Sequence, residues 1–257
     1  MNTPENNSKG QPIRKLTTRR LYLQDSYCFE ADATVVGVRE NTVAFDQTCF
    51  YPGGGGQPSD EGSAMVESKV KLEIMSAHAD SDEIIWHICK SPPPDILGQP
   101  ARVALNKERR LALMRYHTAL HVLNTVALRG YGGWITGVQI GADYSRIDFK
   151  IESFSAAMCE EMEKKVNTVL EENHAVKSFF LPEEEFRKRE DLLRTLEAKP
   201  PVSHGQVRIV EIRGFDAQAC GGTHVGTTSE VGRFSIFRTE NKGKINKRLY
   251  VRLEPVR

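Results

Sequence analysis

The chain has 257 residues, 39% of them hydrophobic, and a formal net charge of +1. This apolar content is enough for two domains with their own cores, and the small net charge gives no global field that would indicate a polyanionic partner. No apolar run approaches the roughly 18 residues that a membrane span needs, and the polar N-terminus lacks the apolar segment of a secretory signal, which predicts a cytoplasmic protein without a membrane partner.

The first part of the chain has a β-strand pattern. Residues 1–18 are polar and without periodicity, which predicts a flexible tail. Over residues 19–105, short runs rich in β-forming residues alternate with turn residues, and this pattern predicts a small antiparallel β-barrel or sandwich. The runs are RLYLQD, CFEADATVVGVRE, NTVAFDQTCFY, SAMVESKVKLEIMSA, EIIWHICK and ARVALN. We place a domain boundary after the last of them.

Residues 106–257 have the pattern of an α+β domain. Asn106 can cap a long helix with Gly130 as its stop, and further helices are predicted over 156–173 and 183–198. The predicted strands are WITGVQIGAD, SRIDFKIES, VKSFFLP, QVRIVEIRG, VGRFSIFRTE and KRLYVRLEP. Helices segregated on a mainly antiparallel sheet are typical of the α+β class.

Two pairs of metal-ligating residue types are present. His117 and His121 are four positions apart on the first predicted helix, so both imidazoles project from one face. Cys220 and His224 are also four apart, in the turn CGGTH, where glycines allow both side chains to reach one point. One thiolate and three imidazoles suit a single Zn²⁺ ion per chain. The chain has five cysteines at irregular spacing, an odd number that argues against a disulfide framework and allows some thiols to be ligands.

Other interpretations of the two pairs remain open. Helical histidines and a buried cysteine in a turn are common without any metal. Cys220 could also be a nucleophile with His224 as its base. The metal is favoured over the nucleophile because it uses all four residues, and because no third group is evident that would orient His224.

The stretch FYPGGGGQPSDEG contains four successive glycines. Its backbone N–H groups have no Cβ beside them and can contact a ligand's oxygens or the 3′ end of a nucleic acid, although a plain hairpin loop is the simpler alternative. The loop lacks the lysine and hydroxyl of a P-loop, so no nucleoside triphosphate site is predicted. The candidate ligand-binding residues here are Gly54, Gly55 and Gly56.

Positive charge is concentrated in two clusters. KERRLALMR precedes the first histidine pair, and the last 26 residues carry eight Lys or Arg against two Glu. Such clusters are compatible with a phosphate backbone lying along one face, although a solvated charged surface accounts for them at least as well.

These segments, in this order, carry a resemblance to a known family. TCFYPGGGGQPSDEG, RRLALMRYHTALHVLNTV, RIDFK, QACGGTHVGTTSEVGRFSIF and KINKRLYVRL closely resemble the editing domain of alanyl-tRNA synthetases. Since no aminoacylation domain is present, the chain resembles the freestanding alanyl-tRNA editing hydrolases, the AlaX group, from about Arg19 to Leu253. The fold implied is a small β-barrel followed by an α+β domain shared with threonyl-tRNA synthetases.

The resemblance implies a trans-editing hydrolase that deacylates mischarged tRNA(Ala), with Ser-tRNA(Ala) as the first candidate substrate and Gly-tRNA(Ala) as the second. It implies Zn²⁺ on the two pairs, Gln57 and the glycines beside the aminoacyl-adenosine, and Thr48 against the hydroxyl of a mischarged serine. Contacts with tRNA phosphates would come from the basic clusters. Their cations are Lys107, Arg109, Arg110, Arg115, Lys242, Lys244, Lys247 and Arg248.

Four protein ligands would close a tetrahedral zinc site, which is in tension with catalysis at the metal. One explanation is that one ligand binds the metal only loosely, with His224 as the first candidate. The other is that the metal holds the substrate without activating water. Two other functions also stay open, namely a zinc-stabilised RNA-binding module without catalysis and a metal-dependent or thiol hydrolase of a small ester. The sequence leaves the oligomeric state open.

Overall fold

A computed structural model describes residues 17–152, 154–194 and 202–254. The predicted flexible tail, residues 1–18, lies outside the described residues except for its last two. None of the described helices combines the length and the apolar character needed to cross a membrane.

The first part of the fold is a layered β-structure. Its strands are β1 (Arg19–Arg20), β2 (Glu30–Arg39), β3 (Thr42–Phe45), β4 (Gln47–Thr48), β5 (Gly62–Val66), β6 (Val70–Ile74), β7 (Ser76–Ala79), β8 (Ile85–Ile88) and β9 (Pro100–Leu105). Seven of them form one sheet in the order β6-β5-β9-β2-β3-β8-β7. Strand β2 joins its two halves: residues 30–34 pair with β9, and residues 35–39 pair with β3 across a bulge between Val35 and Gly37. Bulges bend a strand in this way.

The predicted barrel is not confirmed. The strand order is a linear path with β6 and β7 at its edges, and among the described residues those two edges do not pair. Closure depends on strand tilt and stagger, which the alternation of apolar and polar residues does not encode. The run RLYLQD also differs from its prediction, because a 3₁₀ turn at Leu21–Leu23 takes up half of it and buries Tyr22.

The second part contains the helices and two more sheets. Its elements are α1 (Lys107–Tyr131), β10 (Trp134–Gln139), β11 (Ser145–Lys150), α2 (Ala156–Glu171), β12 (Val176–Pro182), α3 (Glu183–Phe186), β13 (Val202–Ser203), β14 (Gln206–Ile212), β15 (Asp216–Ala219), β16 (Phe234–Asn241) and β17 (Asn246–Leu253). One sheet has the order β10-β11-β17-β16; the other has β12-β14-β13, with β15 also paired to β14. Both are antiparallel, so the chain is a mixed α and β fold with mainly antiparallel sheets.

Helix α1 contributes many residues to the hydrophobic core of the second part. Asn106 caps its N-terminus by accepting a hydrogen bond from the Arg109 backbone N–H at 3.0 Å. The helix ends at Gly132, which has a left-handed φ of 64°, and not at the predicted Gly130. Along its length α1 packs against α2 and the β10-β11-β17-β16 sheet, in a core that includes Leu113, Leu123, Phe149, Met162 and Leu249. His117 and His121 lie on this buried part of α1.

The helix predicted over 183–198 is wrong for its described residues. Only α3 and a 3₁₀ turn at Glu190–Leu192 form there, and residues 195–198 lie outside the described part. Phe186 and Leu192 enter the same apolar cluster as Val207 and Ile209. Residues six positions apart point in different directions on a continuous helix, so the chain breaks the helix to bury both.

Candidate metal centre

The four predicted ligands converge on one point. His117 and His121 lie on α1, Cys220 and His224 lie in the loop after β15, and their ligand atoms are all within 4.8 Å of one another. Cys220 Sγ is 3.5 Å from His117 Nε2 and 3.4 Å from His224 Nε2. In a tetrahedral zinc site, bonds of about 2.3 Å to sulfur and about 2.05 Å to nitrogen place those two atoms roughly 3.6 Å apart. The group therefore fits a metal ion in donor chemistry, and the two distances from Cys220 Sγ match tetrahedral zinc.

The CGGTH loop approaches α1 closely because it carries glycine at position 222. A Cβ on Gly222 would lie 2.2 Å from Cε1 and 2.6 Å from Nδ1 of His117, closer than any real contact. Arg208, in β14, holds the loop from the other side by donating from Nη1 to the carbonyl oxygens of Cys220 at 3.0 Å and of Gly222 at 2.8 Å. The loop is thus fixed on both sides.

Two of the ligand imidazoles have a hydrogen-bond partner on the ring nitrogen that faces away from Cys220. His117 Nδ1 lies 2.8 Å from Gln57 Oε1, and His224 Nδ1 lies 3.1 Å from Thr118 Oγ1. Metal-bound histidines typically have such a partner, which orients the ring and leaves the other nitrogen free to bind.

Burial sets the protonation of the group. Desolvation, with a smaller effect from the Arg208 cation, lowers the pKa of His117 to about 3. It also holds the pKa values of His121 and His224 well below their usual range, so near neutral pH the imidazoles are uncharged and can donate lone pairs. Burial raises the pKa of the Cys220 thiol, an effect that Arg208 opposes. A bound divalent cation favours the thiolate far more strongly than a neighbouring arginine does.

A pocket of about 470 Å³ opens beside the ligands, a size that suits a small ligand. Its wall includes His117, His121 and Cys220, whereas His224 lies behind them. The remaining wall is largely apolar, with contributions from Tyr22, Tyr51, Leu120, Ile135, Val138 and Phe180. The metal group thus lies at the side of a mainly apolar cavity, whose wall also contains Arg20, Arg194 and Arg208.

The glycine-rich loop reaches this pocket in part. Gly54 and Gly55 lie in its wall, and Gly53, Gly54, Gly55 and Gly56 all have positive φ angles, which explains the run of glycines. Gly56 is not part of the wall and packs against Val138: a Cβ there would lie 2.7 Å from the Val138 carbonyl oxygen. The structure therefore brings two of the predicted glycines to the pocket.

Gln57 and Thr48 are both buried and lie outside the described pocket wall. Gln57 contacts His117 and the CGGTH loop. The Thr48 hydroxyl is 2.9 Å from His87 Nε2 and accepts a hydrogen bond from the Phe50 N–H at 3.1 Å. The predicted contact of Thr48 with a substrate hydroxyl therefore needs a rearrangement of these bonds.

Several cations of the predicted tRNA surface are used inside the protein. Arg110 is fully buried, ion-paired with Asp60, and donates to the carbonyl oxygens of Ser26 and Cys49, so it is not available to a phosphate. The others with intramolecular partners are Arg109 with Ser59 and Glu61, Arg115 with Val231 and Glu254, Lys242 with Glu240, Lys247 with Gly243 and Lys244, and Arg248 with Asp148. Lys107 and Lys244 are exposed, and Lys107 Nζ lies 5.2 Å from the centroid of the Phe29 ring.

Sequence reasoning missed Arg208 and Thr118 as parts of the site. Both act on the ligand residues through hydrogen bonds: Thr118 with His224, 106 positions later, and Arg208 with the carbonyl oxygen of Cys220, 12 positions later. Thr118 directly follows His117, which is the only local signal; Arg208 has none, because an arginine in a predicted strand suggests a surface residue.

Comparison with known proteins adds independent findings. A family model described as "Threonyl and Alanyl tRNA synthetase second additional domain" matches residues 207–250, and one for "tRNA synthetases class II (A)" matches residues 18–103. The alanyl-tRNA editing protein AlaX-M of Methanosarcina mazei is 36% identical over 244 residues, 92% of this chain and 96% of that protein. AlaX-M of Saccharolobus solfataricus is 34% identical over 93% of this chain and 100% of its own length. The alanine–tRNA ligase of Korarchaeum cryptofilum is 36% identical over 86% of this chain but only 24% of the ligase.

Proposed function

The chain belongs to the family of alanyl-tRNA editing proteins, and from this premise we propose that it is a trans-editing hydrolase that deacylates mischarged tRNA(Ala). The first candidate substrate is Ser-tRNA(Ala) and the second is Gly-tRNA(Ala). One observation carries the proposal beyond family membership: a pocket of about 470 Å³ joins His117, His121 and Cys220 of the metal group to the glycine-rich loop. A ligand in it would touch both.

Zn²⁺ is the ion that we propose for His117, His121, Cys220 and His224, because one thiolate and three imidazoles suit it. When bound, zinc supplies a Lewis acid for an ester carbonyl or a binding point for the substrate's amino group. The pocket wall contains the first three ligands but not His224, whose ring is buried and held by Thr118. A substrate therefore approaches the centre from the side of His117, His121 and Cys220. This favours a metal that holds the substrate without activating water over a loosely bound His224.

The chain's own residues account for binding and water exclusion. An ester between an amino acid and the terminal ribose is an activated acyl group, so its hydrolysis requires a positioned water more than a strong nucleophile. Gly54 and Gly55 present bare backbone in the pocket wall, which permits close approach of the terminal adenosine. The aromatic rings of Tyr22 and Tyr51 on the same wall limit the access of bulk water.

Selectivity for serine over alanine is proposed to come from Thr48. A buried hydroxyl that pairs with the seryl hydroxyl is left unpaired by alanine, which discriminates better than a difference in size. In the structure Thr48 pairs with His87. The proposal therefore requires substrate binding to expose Thr48 and break its bond to His87, so that a seryl hydroxyl restores a partner and alanine does not.

The test is deacylation by the purified protein of Ser-tRNA(Ala), Gly-tRNA(Ala) and Ala-tRNA(Ala), with zinc quantified in the same samples. We expect preferential release of serine, and loss of both zinc and activity in Cys220→Ala. Cys159→Ala is the matched control, because Cys159 is likewise half-buried but lies on α2, outside the metal group. It should retain both properties.

Stoichiometric zinc with all three tRNAs intact would contradict the proposal and favour an RNA-binding module. Equal hydrolysis of a small seryl ester without tRNA would instead favour a small-ester hydrolase.

A further inference from the structure

The side-chain amide of Gln57 lies between the metal group and the CGGTH loop. We propose that Gln57 is a positioning residue: it fixes the tautomer of His117, and the backbone N–H of Thr223 fixes the orientation of Gln57 in turn. In this arrangement the glycine-rich loop prepares a metal ligand, in addition to lining the substrate pocket.

The orientation of the amide follows from a group that can only donate. The Thr223 backbone N–H lies 3.1 Å from the Gln57 side chain, at the atom assigned as Oε1. A nitrogen in that place would set two donors against each other, so the atom must be the carbonyl oxygen. The other end agrees, since Gln57 Nε2 donates to Thr223 Oγ1 at 2.8 Å. The amide therefore cannot be flipped.

The same oxygen determines where His117 carries its proton. Oε1 lies 2.8 Å from His117 Nδ1 and can only accept, so Nδ1 is the protonated nitrogen. His117 Nε2 then keeps its lone pair, and it is the nitrogen that lies 3.5 Å from Cys220 Sγ. The hydrogen bond from Nδ1 to Gln57 thus selects the tautomer that metal binding needs.

Burial makes this selection strict. Gln57, Thr223 and His117 are 2%, 0% and 5% exposed, so water cannot readily replace a lost partner. The absence of a side chain at Gly222 leaves room for the contact, because a Cβ there would lie 2.9 Å from Oε1. Gln57 also exchanges two backbone hydrogen bonds of 3.0 Å with Gly54. One residue therefore connects the glycine-rich loop, the CGGTH loop and α1.

The experiment uses the full chain, Zn²⁺ alone and no tRNA, so its result is separate from that of the deacylation assay. Nitrogen NMR of ¹⁵N-histidine-labelled, metal-free protein reports the tautomer, with the His117 signal assigned by its loss in His117→Asn. Zinc affinity is measured by competition with a chelator. Gln57→Leu removes the acceptor, and Gln57→Glu keeps an oxygen in its place. Thr223→Val is the matched control, because it removes the hydroxyl that accepts from Gln57 Nε2 but retains the backbone N–H that donates to Oε1.

We expect the Nδ1-protonated tautomer at His117 in the wild type, Gln57→Glu and Thr223→Val. Gln57→Leu should show a mixture of tautomers and bind zinc about 10- to 100-fold more weakly, as is typical for loss of a ligand's hydrogen-bond partner. The proposal is overturned by an Nε2-protonated His117 in the wild type, or by unchanged zinc affinity in Gln57→Leu. Equal losses in Gln57→Leu and either Gln57→Glu or Thr223→Val would also overturn it, since they would indicate a packing defect. Circular dichroism checks the folding of each variant. If a variant does not fold, the tautomer of His117 in the wild type still tests the proposal.

Discussion

Replacement of Gly222 by alanine is a direct test of the metal centre's geometry. The new Cβ would lie 2.2 Å from His117 Cε1, whereas nonbonded carbons require about 3.5 Å. Either the ring or the loop must therefore move by roughly 1.3 Å. Metal–ligand distances tolerate only about 0.2 Å, so we expect zinc affinity to fall by at least 10-fold in Gly222→Ala. Overpacking should also lower the free energy of unfolding of the metal-free protein by about 1–3 kcal/mol.

Zinc affinity by chelator competition and urea denaturation of the metal-free protein measure the two effects separately. Gly130→Ala is the control, because its added Cβ would meet only the flexible Lys165 side chain at 4.0 Å and should leave zinc affinity unchanged. Wild-type zinc affinity in Gly222→Ala would refute the close approach of the CGGTH loop to His117, and with it the described arrangement of ligands.

Three further predictions concern the buried groups and the surface. Asp60→Asn should lower the free energy of unfolding by about 3–5 kcal/mol in urea denaturation, because it leaves the Arg110 cation buried without its partner; a loss under 1 kcal/mol would contradict this. Burial lowers the pKa of His87 to about 4, so below about pH 6.5 the unfolded chain takes up a proton that the folded chain excludes. The free energy of unfolding should therefore fall as the pH is lowered from 6.5 to 4. In urea denaturation, His87→Gln should lose less of this free energy than the wild type between pH 7 and 5, and an identical loss would exclude His87 as a cause. Replacing the exposed Lys107 and Lys244 by alanine should reduce the salt dependence of tRNA binding by about two units of log–log slope, and an unchanged slope would remove both from the proposed interface.

Local spacing predicted the elements of the metal centre. His117 and His121 share a helix face because four residues make about one turn, and the glycines of CGGTH allow Cys220 and His224 to approach each other. The helices α1 and α2 and most strands were likewise predicted, because burying one face imposes a periodicity that the residues themselves carry. The division into domains at residue 105 stays a prediction.

Tertiary contacts decided what spacing could not encode. Arg110 had the sequence signature of a phosphate-binding cation, yet Asp60, fifty positions earlier, holds it in the interior. Gln57 was predicted to contact a substrate, but its side-chain amide forms hydrogen bonds with His117 and Thr223. Only the folded chain brings these two residues near Gln57. The helix predicted over 183–198 breaks because Phe186 and Leu192 must both reach Val207 and Ile209.

By itself, therefore, the sequence determined which residue types could bind a metal and on which helix or turn each one lies. It could do so because the spacing of residues on a helix and the residue preferences of turns depend only on a few neighbouring residues. The tertiary structure decided which cations face solvent, whether the first sheet closes, and what the Gln57 amide binds. Each of these depends on partners distant in the chain, whose approach is set by packing of the whole core.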